Sequence, residues 1–228
     1  MLQDMGMANL ANSGGSVFIP RISMMQEGIM ATMDVGGKQV KTEVVPAGSY
    51  RVNPEKDVTV YAGAINMRIF TMRQQFVFYD ADEKRVYKTV QATDTRGELK
   101  DERGGFNLGR PGGYIQDYKS LTPEQKAVKT AKIVYGVVTL QDVMDEQGNP
   151  VEGYDDPMPF VMDITSTNSK KALDAALKTV IRKNVLPINY ELNCAANGIE
   201  GPNGRIFQSI AVTGGQAVEP DERDTDTY

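Results

Sequence analysis

Short runs of alternating or β-branched residues, cut by glycine- and asparagine-containing turns, fill most of this chain, and only one stretch keeps a clear helical period. A chain patterned in this way must bury one face of a sheet, so sheet closure is the problem its fold has to solve. Val17-Phe18-Ile19 leads into Pro20-Arg21-Ile22. Residues 29–34 and 38–45 flank Gly36-Gly37, a two-residue hairpin turn. Residues 57–61 form another strand. Residues 67–79 form a long one, which reverses at Asp80-Ala81-Asp82-Glu83 and returns over 85–90. Strands follow at 130–140, 159–164, 188–195 and 205–212, the last two joined through Asn203-Gly204. Ser166 or Asn168 caps a helix over about 168–184, with Ala172, Leu173, Ala176, Leu177, Val180 and Ile181 on one face. It carries Lys170, Lys171, Lys178, Arg182 and Lys183 and stops before Leu186-Pro187. A shorter helix starts at Thr122-Pro123.

These elements predict a mainly β protein: an OB-fold-like barrel (the oligonucleotide-binding type) with extra hairpins and one main helix. Residues 1–16 read as a flexible lead, 17–213 as the barrel domain and 214–228 as a disordered acidic tail.

Composition removes several functional classes. Cys194 is the only cysteine and there is no histidine, which excludes internal disulfides, histidine-based zinc sites and Ser-His-Asp or Cys-His catalysis. No apolar run approaches the length of a membrane-spanning helix, and the first residues lack the basic start and apolar core of a secretory signal. The expectation is a binding protein and not an enzyme, with no cofactor and no bound metal.

Charge is unevenly placed. The last ten residues, 219–228, hold five acids and one base, a net of −4 against −5 for the whole chain. Between Arg68 and Lys132 the balance reverses: 13 bases against nine acids, with eight aromatic rings interleaved. Single-stranded nucleic acid needs that combination, because rings stack on bases at about 1–3 kcal/mol each while cations follow the phosphates. On a regular strand Phe70, Met72, Gln74, Phe76 and Phe78 share one face, and Arg73, Gln75, Val77 and Tyr79 the other. The phenylalanine face reads as core, which leaves Arg73 and Tyr79 for a ligand. Residues 104–113 hold five glycines and cannot form a regular strand or helix. Around them Arg103, Phe106, Arg110, Tyr114, Tyr118 and Lys119 read as a loop that contacts backbone phosphates and bases.

The order of these elements resembles single-stranded DNA-binding proteins encoded by tailed bacteriophages. The likeness rests on Phe18-Ile19-Pro20-Arg21-Ile22, the Gly36-Gly37 hairpin, and the aromatic and basic hairpin that follows. It continues through Asp101-Glu102-Arg103-Gly104-Gly105-Phe106, Gly109-Arg110-Pro111, Val134 to Val138, Pro159-Phe160 and the acidic end. It implies an oligonucleotide-binding barrel acting on single strands without sequence preference, in DNA replication, recombination or repair in the cytoplasm of the infected bacterial host. It also implies that the tail residues Asp221, Glu222, Asp224, Asp226 and Tyr228 recruit a polymerase, helicase or nuclease and compete for the groove. The DNA-binding set expected is Arg68, Arg73, Tyr79, Arg85, Tyr87, Lys88, Arg103, Phe106, Arg110, Tyr114, Tyr118 and Lys119, and a homo-oligomer is compatible with it.

Two other readings compete. A phage structural protein, a capsid decoration or tail component, accounts for the β content but not for the opposed charges. A metal-dependent nuclease would use the seven acids between Asp142 and Asp163, a stretch without a base. Their spacing fits no calcium loop, and a solvated hairpin explains them more simply.

Overall fold

The computed structural model describes residues 18–80, 85–89, 91–93, 129–201 and 203–219. It is mainly β, with ten strands and one α-helix among the described residues. Five strands close a barrel: β1 (Arg21–Met24), β4 (Tyr50–Asn53), β5 (Val60–Asp80), β7 (Lys129–Met144) and β8 (Met158–Ile164). They follow chain order around the barrel, each antiparallel to the next. An odd number of alternating strands must close on one parallel pair, and β1 with β8 supplies it. The barrel is thus OB-like in strand number and closure, with a sequential strand order where the Greek-key version crosses over.

Three additions surround it. β2 (Ile29–Val35) and β3 (Lys38–Val45) form a separate two-stranded arm between β1 and β4, turning at Gly36-Gly37 as the sequence predicts. β6 (Arg85–Lys88) pairs with the far end of β5. β9 (Tyr190–Glu200) joins the middle of β5, and β10 (Ile206–Ala217) pairs with β9. The helix α1 (Thr167–Arg182) is capped by Ser166, whose side chain accepts from the Ser169 N–H. It ends through Asn184, at φ 58°, in the left-handed conformation that terminates helices.

Several elements differ from the sequence reading: β4 has no counterpart in it, and β9 runs to Glu200 where the expected strand ends at 195. β5 starts at Val60, where residues 57–61 read as a strand of their own. β10 runs to Ala217, past the expected tail boundary at 214, because Gly214 and Gly215 sit in register with Asn193 and Leu192. The Tyr190 hydroxyl also donates to the Gly215 carbonyl at 2.9 Å. The lead 1–16, the helix expected at Thr122 and the tail from Pro220 onward lie outside the described residues.

The core fills the barrel and the space under α1. Ile22, Tyr50, Val52, Met67, Phe160 and Met162 are nearly inaccessible, and Leu173, Leu177 and Val180 of the helix join them. Lys132 pairs with Asp174, and Lys170 donates to the Thr130 carbonyl at 2.7 Å. Both contacts tie α1 to the start of β7. Among the described residues no helix is long and apolar enough to cross a membrane.

Tyr50 and Cys194 meet in this core. Burial pushes the Cys194 thiol up to about 12. Burial first, and the neighbouring Cys194 second, raise the Tyr50 hydroxyl well above its ordinary value. The folded state therefore keeps protons that the unfolded chain releases. That contribution is complete below the free-thiol value of about 8.5 and is lost as pH rises beyond it. Urea midpoints should be level between about pH 7 and 8 and fall above about pH 9. A thiol reagent at about pH 8 should leave Cys194 unmodified until urea unfolds the chain. Labelling of the native protein at the rate of a free thiol would contradict this placement.

Candidate nucleic-acid interface

The candidate site begins as a register problem. β5 is 21 residues long and β7 16, and they pair from Tyr61–Met144 to Val77–Lys129. Side chains on a regular strand alternate, so Arg68 and Arg73, an odd number of residues apart, would face opposite sides. They do not, because the register slips between Ile69 and Thr71. Ile69 pairs with Gly136 and Thr71 with Tyr135, which leaves Phe70 as an extra residue, a β-bulge. Before the bulge Ile65, Met67 and Ile69 point into the barrel. After it Met72 joins the same core, and Val77 packs on the other side with Ile133, Tyr135, Val161 and Ile19. The bulge thus places Arg68, Thr71 and Arg73 together on the outer face.

Gly136 permits this local geometry. A Cβ on it would meet the Arg68 carbonyl oxygen and the Ile69 backbone. Glycine within a strand often marks such a close backbone approach.

The outer face then assembles in rows across β5, β7 and β8. Arg68 lies opposite Val137, which pairs with Pro159. Thr71 lies opposite Tyr135, which pairs with Val161. Arg73 lies opposite Ile133, which pairs with Asp163. The Arg68 guanidinium stands 6.0 Å from the centre of the Phe70 ring, within cation–π range. Asp163 Oδ2 accepts from Lys88 Nζ at 3.0 Å and from Arg21 Nη1 at 3.2 Å. The Tyr135 hydroxyl donates to Gln91 Oε1 at 2.9 Å. Four cations, Arg21, Arg68, Arg73 and Lys88, therefore share this face with Asp163, Phe70 and Tyr135.

Of the residues expected from sequence, Arg68, Arg73 and Lys88 are brought together here. Lys88 is held by Asp163, both side chains about one-quarter exposed, so a phosphate reaching Lys88 must displace that carboxylate. Phe76 is buried, as expected of core, whereas Phe70 is partly exposed because the bulge takes it out of phase. Tyr79 pairs with Val86, Arg85 with Asp80 and Tyr87 with Phe78 through their backbones. The side chains of Tyr79, Arg85 and Tyr87, and all of Arg103, Phe106, Arg110, Tyr114, Tyr118, Lys119 and the tail residues 221–228, lie outside the described residues. Sequence reasoning misses Arg21, Tyr135 and Asp163. Alternation along 129–144 is the available signal for Tyr135, which stands out of phase with the inward Val134 and Val138.

The acidic stretch does not gather into a metal site. Among the described residues no three His, Cys, Asp or Glu side chains converge. Asp145 is occupied by its own turn, accepting from the N–H groups of Gln147 and Asn149 and from Asn149 Nδ2. The Asn149 side chain, followed by its backbone N–H, holds the Asp145 carboxyl below the usual range.

Comparison with protein-family models, with curated proteins and with solved structures finds no match.

The bulge gives a direct test. Gly136→Ala should destabilise the barrel by about 1–3 kcal/mol in a urea melt, because its methyl has no room beside the Arg68 carbonyl. Gly204→Ala, at an exposed hairpin turn with φ 74°, should cost less than that. Equal costs at both positions would remove the bulge as the constraint.

Proposed function

We propose that this chain binds single-stranded DNA without sequence preference through the outer face of β5, β7 and β8, and that it is not an enzyme. The observation that carries the reading is the bulge at Phe70, which turns Arg68 and Arg73 onto one face beside Phe70 and Tyr135. Cations spaced along one strand face, with Thr71 between them, can contact a phosphate backbone, and the two rings beside them offer stacking surfaces. Such contacts select for exposed bases, which duplex DNA does not present on that scale. The aromatic and basic loop outside the described residues would extend the face. The reading places the protein in phage DNA replication, recombination or repair in the cytoplasm of the infected host, with the acidic end recruiting replication proteins.

One observation favours a phage structural protein as a second reading. Among the described residues the β2–β3 arm belongs to no other sheet, and its Met33 and Val40 pair directly while 48% and 43% exposed. A large constitutive assembly without oligonucleotide binding would support that alternative.

Fluorescence anisotropy with a labelled oligo-dT, against the matching duplex and over a range of salt, tests the first reading. The single strand should bind more tightly than the duplex. Arg68→Ala/Arg73→Ala should weaken binding and reduce the log–log salt slope by about 0.7 for each phosphate no longer neutralised. No single-strand binding at low salt would overturn the proposal.

A further inference from the structure

α1 presents a positive outer side that the candidate interface does not use. Lys171, Ala175, Lys178 and Arg182 recur at helical spacing and all are exposed. The one acid within the helix, Asp174, is held by Lys132. Lys183 follows, with its ammonium 5.6 Å from the centre of the Tyr190 ring.

Beside this stripe a groove of about 580 Å3 runs between α1 and the β9–β10 hairpin. Ala172, Ala175 and Ala176 form its helical wall and Gly214 and Gly215 part of the opposite one, with Lys183 and Tyr190 also lining it. The small side chains leave the groove open to an incoming chain.

The position of the chain exit identifies the occupant. β10 ends at Ala217, in register with Tyr190, and the Val218 N–H donates to the Asn189 carbonyl at 3.0 Å. The described chain therefore leaves at the Lys183 end of the groove. Glu219-Pro220-Asp221 comes next, and proline is well suited to a turn that sends the chain back. Residues 219–228 carry a net −4. Ten extended residues reach about 33 Å, while the 16 residues of α1 span about 24 Å.

We propose that residues 221–228 dock along α1, with their acids over Lys171, Lys178 and Arg182 and Tyr228 in the alanine-lined groove. Three features agree: the charges are opposite, the tail starts at the basic end, and its length covers the helix. Tethering also supplies a high effective concentration, so weak contacts suffice. This seat is separate from Arg68 and Arg73. A docked tail would leave the barrel face open, in contrast to the groove competition that the sequence resemblance implies, and a partner that captures the tail would have to displace it from α1. The inference does not depend on nucleic-acid binding.

The full chain carrying Thr227→Cys can be tested with a nitroxide on that cysteine, since Cys194 is buried. At low salt, paramagnetic broadening should concentrate on the amides of 171–183 and 212–215. It should fade at about 0.5 M salt, where the Debye length is only a few ångströms. Lys178→Glu/Arg182→Glu should abolish it while the remaining amide spectrum stays in place. If charge reversal disturbs the fold, Lys178→Ala/Arg182→Ala keeps helix propensity and should still reduce it. Broadening centred on residues 68–73 and 133–137, or none at low salt, would overturn the proposal.

Discussion

The antiparallel ladder between β5 and β7 is the contact on which the rest of the molecule depends. Along one edge β5 pairs with β7 over nearly its full length. Along the other it accepts β4, then β9, then β6. One strand therefore joins the barrel, the β9–β10 hairpin and the outer β6 ribbon. A strand of that length has to twist and bend, and a bulge provides extra local twist. The bulge at Phe70 also changes which side chains face outward. A requirement of barrel geometry and the arrangement of the candidate site thus meet at the bulge, where the extra residue Phe70 follows the Ile69–Gly136 pair.

Elements with a strong period were legible in the sequence. The helix shows its buried Leu173, Leu177 and Val180 as a 3.6-residue repeat, and its serine cap as a residue type. The strand at 129–144 shows its core as alternation through Val134, Val138 and Leu140. What stayed hidden came from longer range. A register slip leaves no mark on one strand alone, because it is defined by a partner some 65 residues away. Strict alternation therefore placed Phe70 with the core phenylalanines. The extension of β10 through Gly214-Gly215 goes against local preference and is supplied by β9, through Tyr190 and Glu191. Arg68, Arg73 and Lys88 were nameable by residue type. Their gathering with Arg21, Tyr135 and Asp163 required the barrel to close, since β1 reaches β8 through only two paired positions.

Charge is organised in three places. The barrel face combines cations with rings, and Asp163 holds two of those cations in place. Such partly exposed pairs contribute about 0–1 kcal/mol and so cost little to exchange for a phosphate. The outer side of α1 carries its cations in a stripe with one ring, Tyr190, near its end, which suits a peptide better than a run of stacked bases. The acidic end balances these two regions, and its excess charge accounts for most of the net charge of the chain.

Photo-crosslinking of a halogenated-thymine oligo-dT to the protein, with the adducts mapped by mass spectrometry, tests the barrel-face assignment most directly. The account predicts adducts on Phe70, Tyr135 and their neighbours on β5 and β7. Adducts confined to α1 or to the β2–β3 arm would contradict it.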